Sequence, residues 1–341
     1  MYRNASVWPA TAAVVLSSGL LALAVGSEPV PFGDVLRVLG AHLGTGTGPA
    51  DPVSEAIVWQ LRLPRAILGF TVGGGLAVTG VAMQALVRNP LAEPYILGLS
   101  SGAAAGASVF YLGFLPAFVS RAVSMPLSAF AGGLVAITIV YLVAREQGRL
   151  SVARLLLAGV AVSAFMASVT SFVTFASPEP NRLRAVLFWL MGSLSGSGWP
   201  ALPLPVIVSL GGAAFFWLLA RPMDAMLLGE EPAQALGIPV DFVKRLIIIA
   251  CALVAGILVS SAGTIGFVGL IVPHVVRSVS GVGHRRNVPL CFLVGGVFLM
   301  LADVGARAIV PSQDLPVGIV TALCGVPLFI VLLRTYRYQF A

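Results

Sequence analysis

The chain has 341 residues, of which 58% are apolar and only 10% charged, with a mean hydropathy of +0.99 and a formal net charge of +7. An ordinary soluble domain carries roughly 25% charged residues, so a soluble core of this size could not hide so much apolar surface. The basic balance is that of juxtamembrane Arg and Lys facing an anionic cytoplasmic leaflet, and it does not call for nucleic acid.

In chain order, long and nearly charge-free apolar runs cover residues 7–25, 66–87, 95–115, 123–144, 155–176, 197–220, 246–262, 265–276, 290–304 and 315–333. About 20 apolar residues cross a bilayer as a helix. The sequence therefore predicts an all-α polytopic membrane protein, about ten transmembrane helices in one domain over 1–341. The first run follows only Arg3, and no cleavage pattern succeeds Val25, so it reads as a retained helix rather than a signal peptide. The connection 26–61 includes a predicted short helix near 32–43. The stretch 177–184, with Pro178, Pro180, Asn181 and Arg182, reads as a loop on the outer side. The longest segment outside the membrane is 221–245, where Gly229 and Gly237 act as helix stops and Pro232 and Pro239 as starts. Two short helices at the cytoplasmic surface are expected there.

Ten crossings put both termini on one side. Placing them in the cytoplasm leaves thirteen of the 20 Lys and Arg residues inside and seven outside, Arg3 and Arg337 among the inner ones, as the positive-inside rule requires. Cys251, Cys291 and Cys324 lie in apolar stretches without short-range pairing and read as small buried hydrophobes, not a disulfide or metal framework. The frequent Gly, Ala, Ser and Thr inside the runs fit close helix packing in lipid. A faint internal similarity links GLAVTGVAMQALVRNP in the second run with GILVSSAGTIGFVGLIVPH in the seventh and eighth, in opposite senses, as an inverted repeat would have it.

The energy source is constrained by what is missing. Ion-coupled transporters keep ionisable groups within their helices. Here Glu93, Arg154, Arg277 and Arg307 fall near predicted helix ends, and only His274 and Asp303 approach the membrane interior. A phosphate-binding loop would end in Gly-Lys-Ser or Gly-Lys-Thr, but the only lysine, Lys244, follows Val243. A pump built on this chain must borrow its energy from another subunit. A gated channel would show a charged or carbonyl-lined filter, and an intramembrane enzyme would show paired Asp residues, HExxH or a Ser-His arrangement. None of these patterns is present in the sequence.

The blocks LRLPRAILGFTVGGGLAVTGVAMQALVRNPLAEPYILGLSSGAA from Leu61, LGEEPAQALGI from Leu228, GTIGFVGLIVPHVVRSVSGVGHRR from Gly263 and DLPVGIVTALCGVPLFIVLL from Asp314 occur in this order. In them the chain resembles the permeases of iron-siderophore, haem and cobalamin ABC importers. The resemblance implies a homodimer of ten-helix subunits in the bacterial inner membrane, working by alternating access. It also implies two separate ATP-binding subunits, which hold ATP and Mg while this chain carries no cofactor, and an extracytoplasmic substrate-binding protein. An iron chelate leads as cargo by family frequency, with haem or a corrinoid as alternatives. Two positions depart from the family pattern: Gly283 stands where an acidic residue usually precedes the histidine, and Asp314 where glutamate is frequent.

The resemblance implies that Arg62, Arg65 and Arg307 dock acidic residues of the binding protein. The residues alone also support snorkelling anchors for the first two and an i,i+4 pair with Asp303 for the third. Asp314 either orients an arginine or caps the last helix, and the cap is favoured. The segment Leu228, Gly229, Glu230, Ala233, Ala235, Leu236 and Gly237 is expected to insert into a groove of the ATPase, its rival being a solvated connector. Ser163, Thr170, Thr174 and Ser177 form a narrow hydroxyl stripe at helical spacing, suited to lining a pathway or to helix packing. His274 reads as a packing histidine rather than a metal or haem ligand.

Overall fold

The computed structural model describes residues 7–44, 51–114, 118, 123–146, 149–177, 180–310 and 314–335; Arg3 and Arg337 lie outside them. The ten expected runs form α1 (Val7–Ala24), α3 (Pro52–Val87), α4 (Leu99–Tyr111), α5 (Met125–Ala144), α6 (Val152–Phe175), α8 (Pro203–Leu218), α11 (Val240–Ala262), α12 (Val268–Ser280), α13 (His284–Ile309) and α14 (Val317–Thr335). Shorter helices are α2 (Phe32–His42), α7 (Pro180–Leu190), α9 (Ala220–Leu227) and α10 (Glu230–Ala235). The strand pair Arg145–Glu146 and Arg149–Leu150 joins α5 to α6. Among the described residues seven helices are long and apolar enough to cross a bilayer, and α4, α12 and α14 complete the ten.

Helix α3 is the axis. Its 36 residues begin with an α-turn at Pro52–Glu55, widen into a π-helical stretch over Ala56–Arg62 and continue as α-helix to Val87. Nearly every residue from Leu68 to Leu86 is buried against α8, α11, α12 and α13. The contact is backbone against backbone: a methyl on Gly73 would overlap the carbonyl of Gly295 in α13, and one on Gly80 would overlap that of Gly269 in α12. Lipid tails are as apolar as leucine, so such close approach, rather than burial from water, is what holds membrane helices together.

Helices α4 and α12 have 13 residues each, about 20 Å at 1.5 Å per residue, against a hydrocarbon layer of about 30 Å. Both begin inside the bundle from left-handed residues, Gly98 at φ 75° and Phe267 at φ 70°. Leu99 lies beside Gly133, near Ala136, three turns from the Ala144 end of α5, and Gly269 lies beside Gly80, two turns from the Val87 end of α3. From this shared level α4 runs toward the end holding Arg62 and α12 toward the end holding α9 and α10. The connections leading into them are bonded to each other. Glu93 Oε1 accepts from Phe267 N at 3.1 Å, Tyr95 Oη donates to Ile265 O at 2.8 Å, and Gln84 Nε2 donates to Gly269 O at 3.2 Å. A long helix, a break and a 13-residue helix thus occur twice, α3–α4 and α11–α12 in opposite senses, which gives the faint sequence similarity its geometry.

Three expectations change. The segment 177–184 is not loop throughout, because α7 starts at Pro180. The third run becomes helical only from Leu99, after a 3₁₀ turn at Pro94–Leu97, since Gly98 in the left-handed region interrupts it. Cys251 and Cys291 are buried as expected, but Cys324 is exposed.

The packing predicts a sharp contrast between glycines. Gly80→Ala should lower stability by about 1–3 kcal/mol through overpacking. Gly211→Ala in α8, where a methyl meets nothing within 4 Å, should leave stability unchanged or raise it by up to about 1 kcal/mol through the better helix propensity of alanine. Thermal unfolding in detergent followed by tryptophan fluorescence checks both.

Candidate functional sites at the two ends of the bundle

At the end of α3 that follows the π-turn, three guanidinium groups meet two carboxylates. Arg65 Nε lies 2.9 and 3.0 Å from the two oxygens of Asp303, its Nη2 lies 2.8 Å from Oδ1, and its Nη1 lies 2.5 Å from Asp314 Oδ2. Arg307 Nε lies 3.0 Å from Asp303 Oδ2 in the expected i,i+4 ion pair, and its Nη2 donates to Ala22 O at 3.0 Å. Arg62 Nη1 donates to Leu23 O at 2.7 Å and Ala24 O at 2.8 Å, and its Nη2 donates to Glu28 O.

The carbonyls of Ala22, Leu23 and Ala24 are the last ones of α1, where a helix leaves acceptors unsatisfied and its dipole favours cations. Arg62 stands about three turns into its own helix and reaches the favourable C-terminal end of another, an interaction across 39 residues that no local pattern announces. Arg62 and Arg307 are 5% and 6% exposed. All three arginines expected to dock a second protein are bonded to groups within the chain. Asp314, expected to cap α14, orients Arg65 instead. The three arginines and Asp314 line a cavity of about 310 Å³ with Glu28, Ser195 and Ser197.

A larger cavity of about 780 Å³ escaped the sequence reading. Tyr111, Met125, Phe188, Trp189, Ser193 and Ser260 line it, and α7, read from sequence as loop, forms one wall. Its aromatic and hydroxyl lining comes from α4, α7, α11 and the loop after α7, with no local motif. The stripe Ser163, Thr170, Thr174 and Ser177 is half-buried, at the border between the packed face of α6 and an exposed face of Leu157, Val160, Phe165 and Phe172. Ser163 lies beside Gly98, and Thr170 Oγ1 donates to Met166 O at 3.0 Å.

At the opposite end α9 and α10 form the two short helices expected over 221–245. Leu228 and Leu236 are 67% and 65% exposed, and Ala235 is exposed beside them. Gly229 at φ 119° and Gly237 at φ 81° make the flanking turns. Ala233, however, is wholly buried within the chain, so it belongs to the inner face of α10 and not to a surface that a partner could fill. Two acid–base pairs fix the segment. Asp224 Oδ1 accepts from His284 N at 3.0 Å and lies 2.6 Å from His284 Nδ1, while Glu230 Oε1 lies 2.6 Å from Lys244 Nζ. Asp224 places an acid at the N-terminus of α13, favourable to the helix dipole. The acid that the family pattern puts at position 283 is thus provided in space from α9.

A ten-helix bundle with broken helices at its centre, and an exposed apolar helix pair carried outside it, defines a membrane permease. The chain belongs to the FecCD transport family, whose profile matches residues 14–335, and it is the permease of an ABC importer rather than a catalyst. It is 40% identical to the cobalamin import system permease protein BtuC of Halobacterium salinarum, covering 97% of this chain and 96% of that one. It is 38% identical to the uncharacterised ABC transporter permease protein YvrB of Bacillus subtilis, covering 93% and 90%, and 37% identical to the vitamin B12 import system permease protein BtuC of Salmonella arizonae, covering 94% and 91%. A solved ABC transporter assigned to the metal-chelate type, in an inward-facing conformation, superposes with a TM-score of 0.82 at 28% identity, covering 96% and 98%.

Breaking the buried network should be costly. Arg65→Ala leaves Asp303 with Arg307 alone and strips Asp314 of its partner, and should remove about 1–3 kcal/mol of stability. Arg37→Ala, which removes an exposed pair with Asp34, should remove less than about 1 kcal/mol. Monodisperse yield and unfolding midpoint in detergent separate the two variants.

Proposed function

We propose that this chain is the translocation subunit of an ATP-driven importer whose cargo is a corrinoid. The observation that carries this reading is near full-length similarity, at 40% and 37% identity, to two permeases named for cobalamin and vitamin B12. It displaces the iron chelate favoured by family frequency. The metal-chelate type of the solved relative keeps a ferric chelate as the second reading.

In this proposal two copies sit in the inner membrane with both termini in the cytoplasm, one transmembrane domain over 1–341 with 221–245 as its coupling segment. Two ATP-hydrolysing subunits receive α10, and a binding protein delivers cargo at the opposite face. Exposed Leu228 and Leu236, which flank a helix fixed by the Glu230–Lys244 pair, support α10 as the ATPase contact, since such apolar groups are stabilised by burial in a partner's groove. Docking of the binding protein is assigned to the end of the bundle that carries Arg62, Arg65 and Arg307, where they line an open cavity with Glu28 and Asp314. Pathway lining is assigned to the stripe Ser163, Thr170, Thr174 and Ser177, because weakly polar walls release a bulky cargo.

Membrane vesicles carrying the full importer should accumulate radiolabelled cyanocobalamin with ATP and leave a ferric siderophore outside; the reverse selectivity establishes the iron-chelate reading. Leu236→Asp should weaken retention of the ATPase on co-purification by about tenfold or more, the equivalent of one leucine's burial. Unaltered retention makes the segment a solvated connector.

A further inference from the structure

Lys244 is the only lysine in the chain and is 1% exposed, one turn into α11. Its neighbour Arg245 is exposed, with Nε bonded to Asp241 O, as a juxtamembrane cation ordinarily is. Retention of positive charge on this side of the membrane therefore does not explain a buried ammonium next door. Lys244 Nζ lies 2.6 Å from Glu230 Oε1 at the start of α10 and donates to Leu150 O at 3.4 Å in the hairpin between α5 and α6. One ammonium thus joins three elements: the short exposed helix, a helix packed on the α3 axis, and the turn that feeds α6.

The covalent joint between α10 and α11 is short and has a glycine at positive φ, Gly237. By itself it would let α10 swing without moving α11. The Glu230–Lys244 pair closes that joint from the other side. Drawing the pair apart would leave an ammonium uncompensated in a buried place, which is strongly disfavoured. On the other side of Gly229, α9 is held to α13 through Asp224 and His284. The bonded geometry therefore leaves Leu228–Gly229 as the place where the two short helices shift relative to each other.

We propose that Lys244 is a positioning residue for energy coupling: it makes α10 and α11 one body and passes displacement of α10 into the α5–α6 hairpin. This rests on the reading of α10 as the ATPase contact.

The test uses the assembled importer, with its ATPase and binding protein, in proteoliposomes loaded with radiolabelled cyanocobalamin. Lys244→Met and the milder Glu230→Gln, at a half-exposed position, should retain the ATPase and continue hydrolysis while cyanocobalamin moved per ATP falls by about fivefold. Lys244→Arg should stay within about twofold of the parent. A second readout does not depend on cargo: spin labels at Gln234→Cys and Ala153→Cys, in a Cys324→Ser background. Their separation should stay constant on nucleotide trapping in the parent and change in Glu230→Gln. An unchanged transport ratio together with an unchanged label separation in Glu230→Gln overturns the proposal while leaving the ATPase contact standing. Failure of the unmodified chain to hold the ATPase overturns both.

Discussion

Apolar side chains gain nothing by leaving lipid for protein, so a bundle in a bilayer holds together where backbones come close enough for dispersion and carbonyl contacts to accumulate. In this chain that condition is met along α3. Gly73 lets α13 approach and Gly80 lets α12 approach, and at both positions the space left is less than a methyl group. The helices around α3 are placed by this contact, and the polar groups of the chain are arranged around what it fixes.

Polar groups follow one rule at both ends. Among the described residues, four basic side chains withdrawn from solvent are matched by groups far away in sequence: Arg62 by the carbonyl end of α1, Arg65 by Asp303 and Asp314, Lys244 by Glu230, and His284 by Asp224. Burial without such a partner would be prohibitive. The pairs consequently work as registration marks, fixing the ends of α1, α10 and α13 against helices far away in sequence.

The sequence made the membrane class, the ten runs, the two short helices after Arg221 and the family legible, because runs of some 20 apolar residues and helix-breaking glycines are local signals. It hid whatever depended on pairing at a distance. Arg62 and Arg65 stand three residues apart and look alike, yet one bonds α1 and the other bonds α13 and the start of the last connection. Ala233 and Ala235 are likewise indistinguishable by residue type, but two residues apart on a helix they point to opposite sides, and α10, held through Glu230 to Lys244, turns the first inward. The start of α4 was misread because hydropathy is blind to a left-handed glycine, and α7 because two prolines close together signal a loop even when the second opens a helix.

The shared starting level of α4 and α12 also affects how much membrane the chain displaces. A plane cut parallel to the bilayer on the Arg62 side of that level meets α4 but not α12, and a plane on the other side meets α12 but not α4. At either depth one of the ten helices is missing from the cut, and only the short connection leading into it passes there.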